Sequence, residues 1–204
     1  MTAPVAWPER LETDRLVLRC PVAADAAAIF EGYAQDPEVT RYLTWRPHSR
    51  VEETEAYLAR CQAGWDAGID LTWTLTRSGE DRVIGMIGLR PRTHMADIGY
   101  VLARRYWRQG LMPEAATAVV GLALGRPAIH RVWAVCDVEN RASARVLEKA
   151  GMEYEGVLRR WILHPNVSAE PRDVLCYARL RGTGSTTATT TSESRPRSSA
   201  GPDR

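Results

Sequence analysis

The eight residues Arg131 to Val138 constrain the fold more than any other stretch, because they are apolar on both alternations: Val132, Ala134 and Cys136 on one side, Trp133 and Val135 on the other. A strand of that kind belongs inside a sheet covered on both faces. The pattern therefore predicts a layered fold with this strand at the sheet centre. With 204 residues and 45% hydrophobic content, the chain supplies one packed core and is short for two.

Elements on either side follow from periodicity. Arg15 to Arg19 alternates as a strand, and Ala24 to Ala34 carries Ala27, Ile29, Phe30 and Tyr33 at helical spacing. Ser49 reads as the N-cap of a second helix, Val51 to Trp65, with Tyr57, Leu58, Cys61 and Trp65 on one face and Glu52, Glu53 and Glu55 in its first turns. Leu71 to Thr76, Arg82 to Leu89 and Asp97 to Leu102 read as an antiparallel meander, turning first at Ser78 to Asp81. Pro113 suits the first position of a third helix, whose face of Ala116, Val119, Val120, Ala123 and Leu124 stops at Gly125 and Pro127. Asn140 caps a fourth helix with Ala142, Val146, Leu147 and Ala150 facing inward and Gly151 after its end, and strands near Glu155 to Ile162 and Val174 to Leu180 finish an α+β order. Residues 1–10 read as an arm and 11–182 as the domain. From Thr183 onward the Ser/Thr-rich sequence lacks large apolar side chains to offset the entropy of ordering and is expected to be disordered.

Composition excludes several partners. The 27 basic and 25 acidic residues are interspersed, without the basic stripe that nucleic acid requires, so no nucleic-acid partner is expected. No apolar run of membrane-spanning length and no export signal is seen. Cys20, Cys61, Cys136 and Cys176 are widely spaced, and neither they nor His48, His94, His130 and His164 have metal-ligand spacing. The cysteines read as reduced residues of a cytoplasmic protein, and no metal is expected.

One segment carries chemistry. A strand ending at Leu102, a loop with Gly110 near its end and a helix near Pro113 bring free backbone N–H groups to one point, where an anion binds. Gly110 permits close approach, Arg108 adds a forked cation, and Leu111 and Met112 offer further amides. From spacing alone, an ordinary loop remains open.

Taken together, Ile98-Gly99-Tyr100-Val101-Leu102, Tyr106-Trp107-Arg108-Gln109-Gly110-Leu111-Met112-Pro113-Glu114-Ala115, Asn140-Arg141-Ala142-Ser143 and Val146-Leu147-Glu148-Lys149-Ala150-Gly151-Met152 resemble the GNAT superfamily of N-acetyltransferases. The openings Leu11 to Arg19 and Asp36-Pro37-Glu38-Val39 with Tyr42-Leu43 resemble its branch of ribosomal-protein alanine acetyltransferases, so the resemblance spans about residues 11–181. It implies a mixed, mostly antiparallel twisted sheet of about seven strands with four helices. The strands at Asp97 to Leu102 and Arg131 to Val138 would splay to form the cofactor cleft.

The resemblance further implies acetyl-CoA as co-substrate and an amine acceptor. Its pantetheine arm would meet the backbone of Ile98, Gly99, Tyr100 and Val101 and the side chains of Asn140 and Ser143. Its pyrophosphate would meet Arg108, Gln109, Gly110, Leu111 and Met112, although Met112 stands where the family has a small residue. The tyrosine that the superfamily uses as acid, seven residues after the asparagine, is here Leu147, so Ser143 is the candidate acid. Asp97 is the candidate base acting through water, and Trp45 the candidate acceptor contact. Each also has a structural reading: Asn140 and Ser143 as helix-start residues, Asp97 as a solvated strand end, Trp45 as packing. A non-catalytic acyl-CoA sensor or a ligand-free scaffold are the competing functions, and a homodimer is compatible with the strands.

Overall fold

The computed structural model describes residues 6–182, so the Ser/Thr-rich stretch lies outside the described residues. Within them one sheet takes up all eight strands: β1 (Arg10–Glu12), β2 (Leu16–Arg19), β3 (Leu71–Arg77), β4 (Gly85–Pro91), β5 (Met95–Leu102), β6 (Arg131–Asp137), β7 (Glu153–Ile162) and β8 (Arg172–Leu180). Five α-helices accompany them: α1 (Ala26–Ile29), α2 (Pro37–Thr40), α3 (Val51–Ala67), α4 (Leu111–Leu124) and α5 (Arg141–Lys149). The strand order is β1-β2-β3-β4-β5-β6-β8-β7, antiparallel everywhere except between β5 and β6.

Alternation along β3 and β4 separates two cores. Trp73 and Ile87 face the larger one, with α4 and the inner side chains of β6, whereas Met86 faces the smaller one beneath α1 and α3. In α4 the residues at helical spacing (Ala116, Val119, Val120 and Ala123) are fully buried against the sheet. Residues 7 and 8 lie against the same body. Trp73 Nε1 donates to the Pro8 carbonyl at 3.1 Å, and the Arg126 guanidinium lies 4.4 Å over the Trp7 ring.

Six expectations are corrected. β6 is the sixth strand in order and not the central one, because the hairpin β7–β8 is all that lies beyond it. Val132, Ala134 and Cys136 are buried beneath α4 and α5, but Trp133 and Val135 stay half-buried, since no helix roofs the opposite face there. Ser49 does not cap α3: Arg50 holds that position, and Ser49 instead donates through its hydroxyl (2.8 Å) and backbone N–H to Glu53. Pro113 is the third helical residue of α4, which begins at Leu111 after Gly110. In α5 the buried face is Ala144 and Leu147, with Ala142 exposed, whereas Asn140 and the left-handed Gly151 (φ 74°) bound the helix as expected. The first helix is also shorter than its pattern suggests, passing at Phe30–Ala34 into a π-helical turn.

Candidate functional site

Between β5 and β6 the sheet opens. β5 pairs with β4 along its length, from Pro91↔Ala96 to Gly85↔Leu102, but pairs with β6 only at Met95↔Arg131, Ala96↔Val132 and Asp97↔Trp133. Beyond that point the strands diverge, while β6 stays paired with β8 through Asp137↔Val174. The inner edge of Ile98, Gly99, Tyr100, Val101 and Leu102 is left without a ladder partner, so backbone donors and acceptors line a widening gap.

At the wide end of the gap stands the turn. After β5 the chain makes a single 3-10 turn at Arg104–Tyr106, held by Trp107 Nε1 on the Leu102 carbonyl (2.7 Å) and Gln109 Nε2 on the Arg105 carbonyl (2.9 Å). Arg108 (φ 62°) and Gly110 (φ 76°) are both left-handed, an arrangement a Cβ disfavours, and Gly110 then serves as N-cap of α4. The first amides of α4 have no partner four residues back and point out of the helix end. Met112, which departs from the expected small residue, turns its side chain into the core (3% exposed), so only its backbone faces the turn.

Across the gap lies the start of α5. Asn140 Oδ1 accepts from the Ser143 N–H at 3.1 Å, which makes Asn140 a helix cap. The Tyr100 hydroxyl reaches from β5 to this point, 2.8 Å from Ser143 Oγ and 3.1 Å from the Ser143 carbonyl. Burial raises the Tyr100 phenol well above its ordinary range, against the lowering influence of Ser143, so it is a neutral O–H at physiological pH. The neighbouring Cys136 thiol is likewise pushed up, to about 11, chiefly by burial. Leu147 is fully buried, so no phenol comes from that helix position.

The opposite sheet face holds Asp97, at the crotch of the opening. Its Oδ2 takes both Arg90 Nε (2.6 Å) and the adjacent Arg90 guanidinium nitrogen. That guanidinium lies over Gly99, where a Cβ would stand 3.4 Å from Arg90 Nη2, in ordinary contact. Farther along lies a buried polar cluster at the end of β6. Asp137, fully buried, accepts from Arg172 Nε (2.6 Å) and Nη2 (3.1 Å) and from the Glu139 N–H (2.9 Å). Burial opposes its charge, yet those donors hold its carboxyl below the usual range. His164 Nε2 stands 3.7 Å from Asp137, and desolvation lowers the His164 pKa despite that carboxylate.

Two loops meet over this face. Asn166 Nδ2 donates to the Thr40 carbonyl (2.8 Å) and the Trp45 carbonyl (2.7 Å), tying the β7–β8 connection to the loop before α3. Trp45 packs beside His48 with ring centroids 4.9 Å apart, and no hydrogen bond or ring contact among the described residues joins it to Asp97 or Ser143. The structure thus brings Tyr100, Asn140 and Ser143 together, sets Arg108 to Met112 at the mouth, and leaves Asp97 and Trp45 on the other face. Sequence reasoning missed Arg90, Asn166, Arg172 and the side-chain role of Tyr100. For Asp137 a signal existed, a carboxylate closing an apolar strand.

No helix among the described residues is long and apolar enough to cross a membrane. Residues 15–153 match the acetyltransferase (GNAT) domain family. The chain is 34% identical to the uncharacterized N-acetyltransferase YoaA of Bacillus subtilis over 82% of its own length and 94% of the relative's. Among solved structures it resembles an acetyltransferase (GNAT family) from Bacillus anthracis (28% identity, TM-score 0.74, covering 84% of this chain and 98% of that one). It shares its fold with RimL, a ribosomal L7/L12 alpha-N-protein acetyltransferase in complex with coenzyme A (22% identity, TM-score 0.75, covering 84% and 98%).

Proposed function

We propose, from the premise that this chain belongs to the GNAT acetyltransferase family, that it moves the acetyl group of acetyl-CoA to a primary amine by direct attack in a ternary complex. The amine is that of a protein N-terminus or of a small molecule. The observation that carries the reading is the parting of β5 from β6 after Asp97↔Trp133, with the left-handed Gly110 turn at the open end of β5. Non-catalytic acyl-CoA binding, the other reading open to the sequence, is not favoured by the N-acetyltransferases that the chain resembles.

In this reading the pantetheine arm, an extended chain with two amides, lies along Ile98 to Val101 as an added strand and reaches Asn140. The pyrophosphate meets the amides of Gly110, Leu111 and Met112, flanked by Arg108 and Gln109. Amides near Tyr100 hold the carbonyl oxygen as it becomes an oxyanion. Asp97, through Oδ1 and a water, takes the proton of the attacking amine. The nitrogen–carbon bond forms, the carbon–sulfur bond breaks, and Ser143, held in place by its hydrogen bond with Tyr100, passes its hydroxyl proton to the departing thiolate and regains one from solvent. Trp45 lies on the acceptor side.

Calorimetric titration with acetyl-CoA, followed by thiol release against a panel of N-terminal peptides and small amines, tests the proposal. Binding with amine-dependent release is expected, with Ser143→Ala slowing turnover more than it weakens binding. Binding without release for any amine supports the sensor, and no binding removes the foundation of both readings.

A further inference from the structure

The Gly110 turn is not held by its own segment alone. Arg15, in the strand-entry region 94 residues before Gln109, donates from Nη1 to the Gln109 carbonyl at 2.9 Å. Its Nε and Nη2 both reach Glu114 Oε2 at 2.7 Å, and its backbone N–H reaches Glu114 Oε1 at 2.9 Å. Thr13 Oγ1 adds a fourth donor to the same carboxylate at 2.6 Å. Burial opposes the Glu114 charge, but this set of donors holds its carboxyl below the ordinary range. Arg15 Nη2 also stands 3.4 Å from where a Cβ on Gly110 would be.

Two physical consequences follow. A non-glycine residue with positive φ persists only where its surroundings over-determine it, and Arg108 is such a residue. The Arg15 bond to Gln109 grips the one residue between the two left-handed positions. The second consequence is electrostatic. Glu114 lies in the first turn of α4, where a carboxylate is welcome to the helix dipole but competes with any other anion for that same end. A pyrophosphate at Gly110 therefore needs the Glu114 charge cancelled nearby, and Arg15 cancels it.

We infer that Arg15 is a positioning residue for the coenzyme, bracing the Gly110 turn from outside and neutralising Glu114 so that phosphate is accepted at the start of α4. This inference rests on the coenzyme site proposed above. Arg15 need not touch the ligand: its donors are already committed to Glu114 and Gln109.

The test is calorimetry with CoA on the full chain and on the variants Arg15→Gln, Arg15→Lys, Glu114→Gln and the Arg15→Gln/Glu114→Gln double, each at two salt concentrations. The half-exposed Arg15 is a surface site, so folded variants are expected, checked by the melting temperature without ligand. Arg15→Gln should weaken CoA about tenfold, the scale of a lost charge-assisted contact. Adding Glu114→Gln should recover part of that loss, because the uncovered carboxylate is gone. Arg15→Lys should fall between, keeping charge without the forked geometry. If the parent binds CoA and folded Arg15→Gln binds within about twofold of it, the positioning role is overturned and the coenzyme site stands. If the double variant is as weak as Arg15→Gln, the neutralising part is overturned. If the parent does not bind CoA, the site and this inference fall together.

Discussion

The two sides of the opened sheet are built differently. On the side proposed for the coenzyme, β5, the turn and α4 form one continuous stretch, Met95–Leu124, with local bonds such as Trp107 to Leu102 and Gln109 to Arg105 and a long-range brace from Arg15. On the side proposed for the acceptor nothing is continuous. The loop before α3, the end of β6 and the β7–β8 connection meet through Asn166, 126 residues from Thr40, and through Arg172, 35 residues from Asp137. In the proposed function, a ligand common to a whole family meets chiefly one continuous piece of sequence, completed by the start of α5 and braced by Arg15. A face assembled from separate loops can change residue by residue without disturbing that piece.

If that division is real, the two sides can be damaged separately. The largest effect is expected from Arg172→Met, which leaves the fully buried Asp137 carboxylate without its guanidinium. Stability in urea should fall by about 3 kcal/mol, while CoA affinity of the folded fraction stays at the parent value. Loss of CoA binding in that variant would break the division. Next, Gly110→Asp should cut CoA affinity about a hundredfold, some 2.7 kcal/mol, with a smaller loss of melting temperature from placing a Cβ at φ 76°. Aspartate tolerates the left-handed region, so its charge is the principal insult.

A finer test is Asn166→Leu, which removes two hydrogen bonds of about 1 kcal/mol each. Hydrogen exchange in residues 41–48 should quicken with no change at residues 108–112, and equal quickening in both would count against separate units. The smallest effect concerns pH. His164 has its folded pKa lowered by desolvation, so the unfolded chain binds the proton more readily. Stability is then full above the ordinary histidine value of about 6.5 and declines as pH falls below it. His48, also lowered mainly by burial, acts in the same direction. Melting temperatures at pH 8 and 5.5 should differ less in His164→Gln than in the parent, and an unchanged difference would assign the effect to His48.

The same contrast explains what could be read in advance. Gly110 before a helix, Asn140 at a cap and the α4 periodicity are signals carried within a few residues; the structure places Gly110 and Asn140 beside the gap and buries that face of α4 against the sheet. β1 and α2, of three and four residues, are too short to show a period. The helix start was misplaced to Pro113 because proline is tolerated throughout the first turn and marks it only to within a residue or two. Asn166, Arg90 and the reach of Tyr100 to Ser143 depend on distances that no spacing encodes. β6 looked central because its apolar residues alternate on both sides, yet one of those sides is roofed only in part.

The gap also solves a problem of self-association. A strand edge with free amides invites a neighbouring molecule to join it, and proteins usually blunt such edges. Here the outer margins are a three-residue strand at one end and, at the other, β7, which is irregular where it pairs with β8. The long, straight, hydrogen-bond-hungry margin is Ile98–Leu102, and it is hidden indoors, walled by β6 and α5. In the proposed function that inner edge is the template on which the coenzyme arm pairs, and the same edge lies inside the sheet instead of at its margin.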